Sequence, residues 1–114
     1  MNPSKDYLDR VHHIKEEIDY LFLTSEGLTY EEFYENETLK RAFVRSLEII
    51  GEAVKTIPSQ ILEKYTEIKW NNITGMRDKL IHHYFGVDYE LVWDVVENHL
   101  LKLKKVILSI MDNE

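Results

Sequence analysis

The stretch WNNITGMRDKLIHHYFG, residues 70–86, decides how this chain is read. Taken as a helix turning ~100° per residue, it gathers Ile73, Met76, Leu80, Ile81 and Tyr84 on one arc, the face a core would take. Arg77 falls inside that arc. A guanidinium there needs a carboxylate or phosphate against it, because long charged side chains are rarely buried unpaired. His82 points roughly 140° away from Arg77 by the same arithmetic. The spacing therefore predicts a helix over 70–84 with a second working face. Gly86, able to adopt positive φ, is placed to stop it, and Asp88 to cap the next helix.

Downstream, Tyr89, Val92, Val96, His99, Leu103, Val106 and Ile110 recur at threes and fours, predicting one helix over 89–111 with His99 on its apolar stripe. A histidine in that position is a core or interface residue rather than a catalyst.

Upstream, Ala42, Phe43, Leu47, Ile49, Ile50, Ala53, Val54 and Ile57 cover about half a helix circumference, the breadth of a central helix touching two neighbours. Its other face carries Arg41, Arg45, Glu48, Glu52 and Lys55, a solvated pattern of ion pairs. The sharper alternative, given less weight, sets Glu48 or Glu52 against a basic residue of the Arg77 helix. Pro58 ends this helix, and a short segment over 59–64 follows. Before it, Thr29 with Glu32 forms a capping-box pattern and Asn36 a second cap, so a short helix over 30–34 precedes the long one.

The chain begins with Tyr7, Val11, Ile14, Ile18 and Leu21 on one stripe, a clean amphipathic helix over 4–24 entered at Pro3 and Ser4. His12 and His13 are adjacent there and diverge, which unsuits them to share a metal.

With 114 residues, 44% hydrophobic and 31% charged, the chain suits one globular domain over 1–114. The expected fold is all-α, an antiparallel four-helix bundle with short additional helical segments. The absence of cysteine removes disulfides and thiol chemistry and fits a reducing compartment. No secretory h-region and no bilayer-length apolar run occur, so a cytoplasmic location is expected. A net charge of −7 argues against unselective nucleic-acid binding, while leaving room for a local basic cleft.

Phosphate-cradling loops, HExxH, EF-hand and GxSxG patterns are missing. What remains is Arg77, Asp78, His82 and Tyr84 near one helix end. Histidine titrates near neutrality and moves a proton on or off a 2′-hydroxyl or leaving oxygen, while arginine stabilises charge building on phosphate. RNA carries its own nucleophile, so the chemistry requires no metal or other cofactor. A straight helix holds Arg77 and His82 apart. Either the helix unwinds at His82, or a two-fold dimer lines a shared cleft with two arginines and two histidines.

Arg77, four intervening residues, His82, His83 and Tyr84 spell Arg-x4-His-x-Tyr, which resembles the signature of the HepT family of HEPN-domain RNase toxins. The flanks LEIIGEAVKTIP at 47–58 and MRDKLIHHYFGVDYELVW at 76–93 resemble that family too. The resemblance implies an all-helical homodimer acting as a metal-independent endoribonuclease, with Arg77 and His82 catalytic and Asp78 a polar helper. It also implies a minimal nucleotidyltransferase antitoxin as partner, which transfers AMP to Tyr84. By helix counting Tyr84 shares the core arc, so its hydroxyl has to emerge at the helix end. Two other readings stand beside this one: a noncatalytic helical module that docks a nucleotidyltransferase, and a metal-binding bundle using His12, His13, His82 and His83.

Overall fold

The computed structural model describes residues 6–82 and 86–114, and among these it forms eight helices and one short two-stranded ladder. The fold is all-α, as expected. Helix α1, Tyr7–Ser25, buries the predicted stripe of Tyr7, Val11, Ile14, Ile18 and Leu21. Each fully buried Ile or Leu contributes roughly 1.5–3 kcal/mol of apolar transfer. The proposed entry at Pro3 and Ser4 lies outside the described residues.

Gly27, at φ 73°, turns the chain toward α2, Tyr30–Glu35. Here the capping box forms in full: Glu32 N donates to Thr29 Oγ1 at 3.1 Å and Thr29 N donates to Glu32 Oε1 at 3.0 Å. Asn36 Oδ1 then accepts from Leu39 N at 3.0 Å and starts α3, Glu37–Lys55. Phe43, Leu47, Ile50, Ala53 and Val54 are buried along α3, which packs against α1 on one side and the following short helices on the other. Pro58 ends this region, and α4, Ser59–Leu62, is a single turn, shorter than the 59–64 expected.

The largest departure from expectation is at 70–84. In place of one helix there are α5, Trp70–Thr74, and α6, Met76–Leu80, after which Ile81 is extended at φ −109° and ψ 118°. Gly75 separates the two helices at φ −90° and ψ 8°, between helical and extended geometry. Trp70 fixes the start, its indole Nε1 donating to the carbonyls of Tyr65 at 2.9 Å and Leu62 at 3.1 Å. At the far end a two-residue ladder replaces the last helical turn: β1, Ile81–His82, pairs antiparallel with β2, Gly86–Val87. Gly86 does adopt positive φ, 80°, but inside this ladder rather than as a helix stop.

Asp88 caps α7, Tyr89–Asn98, its Oδ1 accepting from Leu91 N at 3.0 Å. The predicted single helix over 89–111 is also broken: His99 at φ −122° divides α7 from α8, Leu100–Asn113. The break rotates His99 off the apolar stripe and leaves its side chain 63% exposed beside Asp94. The bundle thus consists of α1, α3, the α5–α6 pair and the α7–α8 pair. Among the described residues no helix is long and apolar enough to cross a membrane.

Candidate active site

Two positions along the sequence bring α6 to where it sits. Gly51 on α3 is buried, and a Cβ there would stand 3.0 Å from the carbonyl oxygen of Ile73, so the missing side chain lets α5 approach α3 directly. One turn earlier on α3, Glu48 projects toward the next helix. Its Oε2 lies 3.4 Å from Arg77 Nε.

Arg77 is therefore outside the core. Its expected place on the apolar arc requires an unbroken helix, and the break at Gly75 together with the short length of α6 leaves its side chain 61% exposed. Met76 and Leu80 take the buried positions of that turn. The ion pair with Glu48, given less weight from sequence, is the one observed. Glu52 pairs instead with Lys55 at 3.5 Å on its own helix. Asp78 is open to solvent and approaches Arg77 Nη1 only at 4.0 Å, long for direct pairing.

His82 follows α6 directly, on β1. Because the helix has ended, its direction is set by strand geometry and not by the 100° step that would oppose it to Arg77. The helix has thus unwound before His82, as one of the two expected routes requires. The imidazole is mostly exposed, with Nε2 3.5 Å from Asp88 Oδ2.

Asp88 is the residue that sequence reasoning undervalues. Spacing identifies it as a helix cap alone, yet the β1–β2 ladder folds position 88 back against position 80, where Asp88 N donates to Leu80 O at 2.7 Å and its side chain comes near His82. The signal for this second placement is the short return through Gly86. Behind it the start of α7 is anchored by Lys40, a buried lysine on α3 whose Nζ lies 4.3 Å from the Tyr34 ring centroid and 4.5 Å from that of Tyr89. The two ring faces, with Glu37 Oε1 at 3.1 Å, compensate a charge that burial would otherwise penalise.

His83 and Tyr84 lie outside the described residues. His13 sits beside Glu17 at 3.6 Å on α1. His99 pairs with Asp94 at 3.2 Å, where hydrogen bonds from Asn98 first and His99 next hold the Asp94 carboxyl below its ordinary range. Among the described residues no group of three or more His, Asp or Glu side chains is arranged to hold a metal ion.

The described site is an exposed guanidinium and an exposed imidazole on consecutive elements, each with its own carboxylate, at the edge of an all-α bundle. These are the side-chain types that phosphodiester chemistry uses, carried on a helical protein. The chain belongs to the HepT-like ribonuclease family, whose profile, described as Ribonuclease HepT-like, matches residues 11–110. It is 43% identical over 114 residues to a candidate RNase of Caldanaerobacter subterraneus subsp. tengcongensis, covering 100% of this chain and 99% of the relative. A candidate RNase of Methanocaldococcus jannaschii is 46% identical over 103 residues, covering 90% of this chain and 85% of the relative. A protein of Thermococcus cleftensis named as a probable ribonuclease HepT is 40% identical over 100 residues, 88% of each chain. No solved structure matches the chain.

Proposed function

We propose that this chain is a metal-independent endoribonuclease toxin of a type II toxin–antitoxin pair, acting in the cytoplasm as a homodimer. The observation that supports it most is the placement of His82 and Arg77 on either side of the helix-to-strand change at Leu80, in a chain of the HepT-like ribonuclease family. In this reading His82 takes the proton from a substrate 2′-hydroxyl, and the freed oxygen attacks the adjacent phosphorus. The bond to the 5′-oxygen breaks, giving a 2′,3′-cyclic phosphate and a 5′-hydroxyl, with a second imidazolium returning the proton to the leaving oxygen. Arg77 stabilises the charge that accumulates on the non-bridging oxygens. Asp78, exposed beside it, acts as a polar helper. The dimer supplies the second imidazole and a second guanidinium, concentrating positive charge in a chain of net charge −7.

Neutralisation follows from the same motif. A minimal nucleotidyltransferase partner transfers AMP from ATP to the Tyr84 hydroxyl, which loses its proton as pyrophosphate leaves, and the added bulk and phosphate charge close the cleft to RNA.

The test is expression with and without such a partner, following growth, RNA integrity and the intact mass of the protein. Toxicity and cleavage that vanish in His82→Ala, together with a mass gain in steps of AMP that vanishes in Tyr84→Phe, are the expected results. Absence of toxicity and cleavage in the wild type, with nothing for His82→Ala to remove, would leave a noncatalytic, dimerising module that docks a nucleotidyltransferase.

A further inference from the structure

Between α5–α6 and α7–α8 lies a groove of about 430 Å3. Its floor is aliphatic, lined by Ile73, Met76, Leu80, Leu91, Val95 and Leu103. Around it stand Lys69 at the start of α5, Lys79 on α6 and Lys102 on α8, with His99 at the α7–α8 break and Glu67 as the opposing charge. Lysines arriving from three separate elements do not arise from the repeating ion-pair pattern of one solvated helix face. Lys79 donates to Asn72 Oδ1 at 2.6 Å, a neutral partner that leaves its charge uncompensated. Lys69 and Lys102 are exposed and form no ion pair with another described residue. In a protein of net charge −7 this is a local concentration of positive charge over an apolar surface.

We propose that this groove holds a single-stranded segment of RNA next to the scissile linkage, with phosphates on Lys69, Lys79 and Lys102 and sugar and base faces on the aliphatic floor. The inference rests on the ribonuclease reading above. Its geometric support is α6 itself: residues 77 and 79 fall on opposite flanks of a helix ~10 Å across, with Arg77 toward Glu48 on α3 and Lys79 toward the groove. A strand gripped at Arg77 needs to cross only that width to reach the lysines. An acidic peptide would satisfy the same charges, but nothing would then require the groove to adjoin the helix bearing Arg77. Among the described residues no Phe, Tyr or Trp lines it, so affinity there depends on salt and hardly on base identity.

The test uses the full-length protein and a 2′-O-methyl oligonucleotide of twelve residues, which lacks the nucleophile, with binding read by fluorescence anisotropy across a salt series. Lys69→Glu combined with Lys102→Glu should weaken binding roughly tenfold at 0.1 M salt and flatten the salt slope by about 0.7 for each phosphate no longer neutralised. Cleavage of the matching RNA should show a raised KM with kcat retained, and cleavage of a dinucleotide should be unchanged. Unaltered binding and slope in the double variant would overturn the proposal. So would a variant that keeps RNA binding but loses binding of an acidic, leucine-bearing peptide. Oligonucleotide binding abolished in the variant, with no cleavage by the wild type, would support the groove and overturn the nuclease reading instead.

Discussion

His82 Nε2 faces Asp88 Oδ2 at 3.5 Å while the other oxygen of Asp88 accepts from Leu91 N. One carboxylate thereby starts a helix and flanks an imidazole. The two roles have different requirements: a cap needs only an acceptor oxygen, whereas the imidazolium formed during proton transfer benefits from negative charge.

Asp88→Asn separates them. Asparagine caps as well as aspartate, so the melting temperature should hold within a degree or two. The cleavage rate should fall about tenfold, against the roughly 10²-fold or greater loss anticipated for His82→Ala. Equal rates for Asp88→Asn and wild type, measured on one labelled RNA, would show the carboxylate to be a cap alone.

The pair of Arg77 and Glu48 separates stability from activity in another way. With the guanidinium largely in solvent, the ion pair is worth at most about 1 kcal/mol to the fold. Arg77→Ala should leave the denaturation midpoint almost unchanged and lower kcat by about 10²–10³. Arg77→Lys should not restore it fully, since an ammonium lacks the planar fork that fits phosphate. Parallel urea titrations and cleavage rates on the same preparations check both statements.

Gly51→Ala gains up to about 1 kcal/mol of helix propensity but sets a methyl group 3.0 Å from the Ile73 carbonyl, a backbone atom with little freedom to retreat. Overpacking of this kind costs about 1–3 kcal/mol, so the net change is a lower melting temperature. Gly51→Val should be worse, because branching widens the clash. A rise in melting temperature for Gly51→Ala would mean that α5 slides along α3 freely.

Asp19 gives the acid dependence a direction. Lys104 most strongly, at 2.7 Å, and Lys15, at 2.6 Å, hold its carboxyl below the ordinary value of 3.8. The folded state therefore binds that proton less readily than the unfolded chain. The stabilisation is in full force above pH 3.8 and disappears as pH falls from there through the lower folded value. In thermal melts between about pH 5 and pH 2.5, wild type should lose more stability than Asp19→Asn. Identical losses would show the contact between α1 and α8 to be fully screened.

The amphipathic stripe of α1, the capping box at Thr29 and Glu32, the caps at Asn36 and Asp88 and the arginine–histidine motif can all be read from the chain, because each depends on residues at most a few positions apart. Periodicity fails at Gly75, Ile81 and His99. There the helical spacing of apolar residues continues through the sequence, but tertiary contacts set the backbone: the indole of Trp70 held by two carbonyls, the β1–β2 ladder, the packing of α5 on Gly51. Arg77 leaves the core and His82 leaves the helix for that reason. The partners of the two candidate catalytic side chains are likewise decided by the fold, since Glu48 and Asp88 reach them through helix packing and chain reversal, which act across distances that local spacing does not encode.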